Sequence, residues 1–286
     1  MKRSVEEIRR GFDGVDGAGV SLVRVLNQET IKKLDPFLML DIFDSNNYED
    51  YIAGFPMHPH RGMETITYLL AGEIDHEDSI GNKGRILPGG TQWMTAGSGI
   101  MHQEMPQKSE NMIGFQLWLN MPQKDKMRAP AYHELNKEQL PVYEEDGLKV
   151  RVISGEFKGV EGGIKPDYVR PQIYFIEADE GKAFAKNCKP KDTAFIFVFR
   201  GSVRIGDEVV NQKNGVLLAQ GDEIEIHADT DAKFMYIEGE KINETVSWGG
   251  PIVMNTKEEL NLAFEELRNG TFLKTRHVLG VEGLNK

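Results

Sequence analysis

Residues 54–72 of the 286-residue chain read GFPMHPHRGMETITYLLAG. Two histidines, His58 and His60, stand one residue apart ahead of a β-prone run that ends at an Ala-Gly turn. Successive side chains of an extended strand alternate between its faces, so residues two apart point to the same side. Two imidazoles on one inward face can chelate a metal ion, and this stretch therefore predicts a β fold built around a metal site.

Short β-prone runs continue on both sides of this stretch. They are broken by Gly- and Pro-containing turns, and after 54–72 they lie at Gly84–Leu87, Gln92–Thr95 and Ile113–Leu119. Many short strands at such spacing are typical of an all-β barrel or sandwich. Residues 123–147 are polar and contain proline, so we expect a linker with a short helix near Asn136–Leu140.

A second β-rich block, residues 172–239, resembles the first. Tyr68–Gly72 parallels Phe197–Gly201, and Gly84–Gly90 parallels Gly215–Gly221. The repeat predicts two domains of one fold. Counting from the matched glycines, the positions of the predicted ligands hold no metal-binding side chain in the second copy: Asn187, Lys189, Lys233 and Met235. We expect that domain to be metal-free.

The last clear element is a helix after residue 256. Thr256 and Glu259 form a capping-box pattern, and an apolar stripe follows at helical spacing, Leu260, Ala263, Phe264 and Leu267. Asn269-Gly270 is a helix-stop signal. The stripe predicts that the helix packs across the mouth of a barrel or between domains.

The partners of His58 and His60 are predicted in TAGSGIMHQEM, residues 95–105, where His102 and Glu104 are also two residues apart. Two such pairs on facing strands of a small barrel would converge and supply four ligands. Three imidazoles and one carboxylate suit Fe(II), Mn, Ni, Co, Cu or Zn better than Ca or Mg. Glu64 is a candidate fifth ligand, a hydrogen-bond partner of a ligand or a structural carboxylate, and His76 is expected at the surface or rim.

Composition excludes several classes of protein. The net charge of −11 argues against direct nucleic-acid binding. Cys188 is the single cysteine, so neither an intrachain disulfide nor a thiolate zinc cluster can form. No apolar run is long enough for a membrane span, and the N-terminus lacks the apolar core of a secretory signal. We expect a cytoplasmic protein, or also a nuclear one if the source is eukaryotic.

Three segments carry a family resemblance: HPHRGMETITYLLAGEIDHEDSIGNKG from residue 58, QWMTAGSGIMHQEMP from 92 and GPIVMNTKEEL from 250. They resemble the pirin family of the cupin superfamily, over nearly the whole chain. The resemblance implies two tandem cupin (jelly-roll) β-barrels with a short C-terminal helix. The domains would be 1–135, which binds metal, and 136–286, which lacks the ligands, with the final segment, about 249–286, packing back on the first. It also implies that His58, His60, His102 and Glu104 hold one ion, Fe(II) by preference, and that Glu64 is not a ligand.

The resemblance implies two functions. Some pirins resemble quercetin 2,3-dioxygenases, which open a flavonol ring with O₂ and release carbon monoxide; others are iron-dependent coregulators that bind a protein partner. For the enzyme, the partners are a small flavonol-like aromatic and O₂, with Glu104 as the nearest general base for the flavonol hydroxyl. Apolar residues near the ligands are candidates for the pocket wall: Phe55, Met57, Trp93, Met101 and Trp118. A zinc-dependent cupin isomerase or hydrolase is a third alternative.

Overall fold

The computed structural model describes residues 1–275, and its strands are numbered along the chain. The first thirteen are β1 (Val5–Arg10), β2 (Phe12–Asp16), β3 (Val20–Leu26), β4 (Phe37–Ser45), β5 (Phe55–His60), β6 (Met63–Ala71), β7 (Glu73–Asp78), β8 (Lys83–Ile86), β9 (Thr91–Thr95), β10 (Ile100–Gln107), β11 (Met112–Asn120), β12 (Ala131–Leu135) and β13 (Val142–Glu145). The others are β14 (Leu148–Ser154), β15 (Glu156–Phe157), β16 (Val160–Glu161), β17 (Gln172–Ala178), β18 (Ala183–Asn187), β19 (Thr193–Arg200), β20 (Ser202–Ile205), β21 (Glu208–Asn211), β22 (Asn214–Leu218), β23 (Glu223–Ala228), β24 (Ala232–Gly239), β25 (Ser247–Gly249) and β26 (Ile252–Met254).

The helices are few and short. They are α1 (Ile31–Leu34) and α2 (Lys257–Arg268), with single 3₁₀ turns at Gln28–Thr30, Tyr48–Asp50 and Gln123–Asp125. The predicted helix at Asn136–Leu140 is wrong, since this stretch is a turn between β12 and β13. None of the helices that the structure describes is long and apolar enough to span a membrane.

The chain forms two compact units. The histidine unit comprises residues 13–28, 37–137 and the described residues from 242 onward; the second unit comprises 1–12, 29–36 and 138–241. The predicted boundary at 135/136 lies close to the change of unit after residue 137. Residues 1–12 lie in the second unit because β1 pairs with β22.

Both units have the same sheet plan, and the predicted all-β fold of two cupin barrels is confirmed. The histidine unit has a seven-stranded sheet in the order β12-β9-β6-β11-β4-β3-β2 and a four-stranded sheet in the order β5-β10-β7-β8. The second unit has β1-β22-β19-β24-β17-β14-β13 and β18-β23-β20-β21. In this plan β5 corresponds to β18, β10 to β23 and β11 to β24.

This correspondence corrects part of the comparison made from glycine spacing. Lys233 and Met235 lie on β24, the counterpart of β11, whereas the counterpart of the strand that carries His102 is β23. The buried positions of β23 hold Ile224 and Ile226, which pack with Phe184 of β18 in one apolar core. Apolar side chains therefore occupy the face of the four-stranded sheet that carries the imidazoles in the histidine unit.

Helix α2 confirms the capping-box prediction. The Thr256 hydroxyl accepts from the Glu259 amide, and the Glu259 carboxylate accepts from the Thr256 amide. The apolar stripe packs with Ile252, Met254 and Phe272 in a small cluster of the histidine unit. The helix thereby fixes the chain around β25 and β26.

Candidate metal centre

The structure brings three of the four predicted ligands together. His58 and His60 lie on β5, and His102 lies on β10 directly opposite His58. The ring centroids are 4.3 Å apart for His58–His102, 4.8 Å for His58–His60 and 4.9 Å for His60–His102. One ligand atom from each histidine lies within 4.8 Å of the others. The two strands are neighbours in one sheet rather than facing strands, because β5 pairs with β10 in the four-stranded sheet.

Backbone carbonyl groups orient two of these rings. The Nδ1 atom of His58 lies 2.9 Å from the Pro56 oxygen, and that of His60 lies 3.0 Å from the Pro251 oxygen. A carbonyl oxygen can only accept, so each Nδ1 carries the proton and each Nε2 offers a lone pair. The two Nε2 atoms are 3.1 Å apart. Two lone pairs at that distance repel, and a cation between them removes the repulsion.

His102 gives independent evidence for a cation-binding site. Its side chain is completely buried, and neither ring nitrogen has a hydrogen-bond partner among the described residues. An unsatisfied buried polar group costs about 1–3 kcal/mol, so native proteins rarely keep one without a reason. Coordination of a divalent ion would satisfy such a nitrogen, and the donor set fits the metal that the family resemblance implies.

Burial sets the protonation state of these ligands. Desolvation, with the nearby His58 ring as the next cause, holds the pKa of His60 well below the ordinary histidine value. Desolvation also lowers the pKa of His102 well below that value, with His58, His60 and His76 adding to the effect. Both rings are therefore neutral near pH 7, which is the form that binds metals.

Glu104, predicted as the fourth ligand and as the base, is buried beside this group but lies outside the three-histidine set. The amide of Gln116 donates to both of its carboxylate oxygens, at 3.0 and 2.8 Å. Gln116 in turn accepts from the indole N–H of Trp118 at 3.1 Å. This chain fixes the carboxylate in one orientation, while its two predicted roles stay predictions.

The residues predicted for the pocket wall differ in their distance from the histidines, and their contact with a substrate stays a prediction. Trp118 lies edge-on to His60, with 5.0 Å between the ring centroids. Trp93 and Met101 face away from the histidines, since their chain neighbours Gln92 and His102 lie on the histidine side. Phe55 packs against Phe43 in an apolar cluster. Met57 lies half-buried on β5, and its place in the wall stays a prediction.

Glu64 points away from the site. Thr65 and Thr67 lie on one face of β6 and Glu64 lies on the opposite face. The Thr67 hydroxyl reaches Glu104, so the face of Thr65 and Thr67 is the one turned to the site. The Glu64 carboxylate accepts from the Thr95 hydroxyl at 2.6 Å, on the other face of the sheet. The expectation that Glu64 shares the face of His60 is therefore wrong, because the alternation of β5 does not continue across the turn into β6. The contact with Thr95 agrees with the alternative of a structural carboxylate.

The expected position of His76 is also wrong. We expected it at the surface or rim, but its side chain is buried, with Nε2 3.1 Å from Asp78 and Nδ1 3.0 Å from the Gln92 amide. Its ring lies 5.4 Å from that of His102 and stacks on Tyr132. Alternation within EIDHED places Ile74, His76 and Asp78 on one buried face, which is the signal that identifies it.

Sequence reasoning missed the residues that hold the C-terminal segment onto the site. Arg61 is buried and donates to the carbonyl oxygens of Ser98 and Phe272 at 2.8 and 2.7 Å. Its guanidinium also pairs with Glu266 at 2.8 Å. Lys126 is buried as well. No periodic pattern singles out these residues, because each makes contacts far along the chain.

Both cupin units of the chain resemble known proteins. The family model described as Pirin matches residues 19–119, and the one described as Pirin C-terminal cupin domain matches residues 173–273. A pirin-like protein of Caulobacter vibrioides is 42% identical over 94% of this chain and 99% of its own length. Pirin of Homo sapiens is 39% identical over 89% of this chain and 88% of its own. A solved quercetin 2,3-dioxygenase of Acinetobacter baumannii is 28% identical, with a TM-score of 0.87 over 95% of this chain and 99% of that one.

Proposed function

The chain belongs to the pirin family, and from that premise we propose that it is a metal-dependent dioxygenase that opens a flavonol such as quercetin with O₂. The observation that carries the proposal is the convergence of three histidines around the orphaned nitrogens of buried His102. The solved quercetin 2,3-dioxygenase of the same fold supports the substrate class.

The proposed ion is Fe(II), held by His58, His60, His102 and Glu104. Nitrogen-rich ligand sets of this kind suit borderline divalent ions. When bound, such an ion would act as a Lewis acid and would orient a chelating substrate. The two backbone carbonyl groups at Pro56 and Pro251 hold the His58 and His60 rings in the tautomer that this requires.

Glu104 accepts the proton of the flavonol 3-hydroxyl in this proposal. Gln116 keeps both carboxylate oxygens in place through its amide, so the base does not need to reorient before the proton moves. The flavonolate then reacts with O₂: both oxygen atoms enter the opened ring, and one ring carbon leaves as carbon monoxide. Trp118 lies edge-on to His60 and would bound one side of the substrate.

The test is turnover by protein of defined metal content. Protein loaded with Fe(II) should consume O₂ and release an equal amount of carbon monoxide with quercetin, and His58→Ala should abolish both. His227→Ala, in the second unit, is the matched control, because His227 is an exposed histidine that contacts Glu225. Absence of turnover with Fe, Mn, Ni, Co, Cu and Zn forms of the wild type would contradict the proposal.

A further inference from the structure

A hairpin near the C-terminus forms part of the metal centre. We call residues 247–254, which include the paired strands β25 and β26, the strap. The Val253 amide donates to the Arg61 oxygen at 3.0 Å. The Lys126 ammonium, only 1% exposed, donates to the oxygens of Gly62 and Val253 at 2.6 and 3.0 Å. The strap is therefore fixed to the chain immediately after His60.

The strap carries one large aromatic side chain toward the site. Trp248 lies 5.7 Å from Trp118 between ring centroids, and Trp118 in turn lies edge-on to His60. The indole N–H of Trp248 donates to the Gly250 oxygen at 2.7 Å, which fixes the ring orientation. The three rings form a continuous path that begins at a proposed metal ligand and ends on the strap.

Trp248 differs from the other two tryptophans in its exposure. Trp93 and Trp118 are 1% and 8% exposed, whereas Trp248 is half-buried. A half-exposed indole with a satisfied N–H offers an apolar face whose conformation is set before a ligand arrives. Such a surface suits a flat aromatic molecule, because stacking with offset or tilted rings adds to the burial of apolar area.

We propose that Trp248 is a specificity-determining residue that stacks on an aromatic ring of the substrate while the hydroxyl-bearing end of the substrate lies at the histidines. This inference rests on the proposed function. Stacking on Trp248 would be the means by which that site selects planar aromatic molecules. The centroid separations of 5.0 Å for His60–Trp118 and 5.7 Å for Trp118–Trp248 place Trp248 within reach of a three-ring substrate that lies at the histidines. The expected ligands are planar, polycyclic and oxygen-chelating.

The test measures binding rather than turnover. The Kd of quercetin is determined without O₂ on Ni(II)-loaded protein, through the absorbance of quercetin itself. Trp248→Ala should raise this Kd about tenfold, while Trp248→Phe, which keeps an aromatic face, should stay within about threefold of the wild type. Tyr48→Ala is the matched control: Tyr48 is a partly exposed aromatic residue of the same unit that contacts Lys108. The Kd of Ni(II) should be unchanged in all three variants, since Pro251 orients His60 through its backbone.

The outcomes separate the two claims. Equal quercetin binding by the wild type and Trp248→Ala overturns the inference and leaves the proposed function in place. Binding that depends on Trp248 without consumption of O₂ overturns the dioxygenase and keeps the stacking role. A wild type that does not bind quercetin overturns both, and a weaker Ni(II) affinity in Trp248→Ala shows a structural role for the strap instead of stacking.

Discussion

The Nδ1 atom of His60 lies 3.0 Å from the carbonyl oxygen of Pro251, a residue 191 positions further along the chain. A proposed metal ligand on β5 thus has its tautomer set by a segment that follows residues 138–241 of the second unit in sequence. Because neutral histidine can bind metal through either nitrogen, this one contact decides which nitrogen is available. The proposed site therefore depends on the pairing of β5 with β10 and also on the strap.

Replacement of His102 by leucine should remove metal binding without lowering the stability of the metal-free protein. The substitution removes two buried nitrogens that have no hydrogen-bond partner within residues 1–275, so the metal-free variant should be at least as stable as the metal-free wild type. Ni(II) should raise the Tm of the wild type and leave that of His102→Leu unchanged. Thermal unfolding with and without metal measures both effects, and a metal-free variant less stable by more than about 2 kcal/mol would contradict the orphaned state of His102.

The metal-free protein should lose stability as the pH falls below about 6.5. Burial lowers the folded-state pKa of His60 and His102, so below the unfolded-state value the unfolded chain binds more protons than the native protein. The free energy of unfolding therefore rises with pH in this window, by up to about 1.4 kcal/mol per pH unit for each ring. Urea unfolding at pH 5.5 and 7.0 measures the slope. His102→Leu should show a smaller slope, and an equal slope in the two proteins would contradict the argument.

Lys126 should be a strong stability determinant. Its ammonium donates to the oxygens of Gly62, Val253 and Asn120, and Lys126→Met leaves these acceptors without that donor. We expect a loss of about 2–4 kcal/mol in the free energy of unfolding. Lys124→Met is the control, since Lys124 is exposed on the neighbouring turn. Similar unfolding free energies for the two variants would show that the strap does not depend on Lys126.

Lys126 should also make the free energy of unfolding depend on pH. Burial lowers the pKa of Lys126 to about 7, although Glu244 and Glu259 oppose the shift. Between about pH 7 and 10.4 the unfolded chain binds more protons at this position, so its contribution to stability increases with pH. The difference in unfolding free energy between wild type and Lys126→Met should therefore widen from pH 7 to pH 9. A constant difference would contradict the lowered pKa.

Gln116 should matter for turnover more than for metal retention. Gln116→Leu removes the amide that holds both oxygens of Glu104 and leaves the three histidines in place. We expect kcat with quercetin to fall about 10²-fold or more, with the Kd of Ni(II) changed less than tenfold. Gln123→Leu, on an exposed turn, serves as control. An unchanged kcat in Gln116→Leu would argue against Glu104 as the base.

Local patterns predicted much of the fold. Alternation and turn residues located strands such as β9 and β11, and the Thr256–Glu259 capping box located α2. The spacing of His58, His60 and His102 predicted three side chains that the structure brings together. These features depend on neighbours within a few residues, which is why sequence alone reveals them.

The remaining features depend on register and on distant contacts. Glu64 and Trp93 were assigned to the wrong face because one turn or one residue of offset reverses the side on which a side chain lies. Lys233 and Met235 were matched to the wrong strand because counting from glycines assumes loops of equal length in the two copies. Pro251 has no side-chain signal at all, since it acts through a backbone oxygen.

The central claim is that His58, His60, His102 and Glu104 hold a single divalent ion. Anomalous diffraction at the Fe absorption edge, from crystals of protein purified without added metal, tests this claim most directly. One anomalous peak should lie about 2.0–2.3 Å from a nitrogen of each histidine and from a carboxylate oxygen of Glu104. Anomalous data at the Mn, Co, Ni, Cu and Zn edges would identify another metal at the same position. An absence of any peak between the three histidines, or a peak held by other residues, would show that these four residues do not form one metal site.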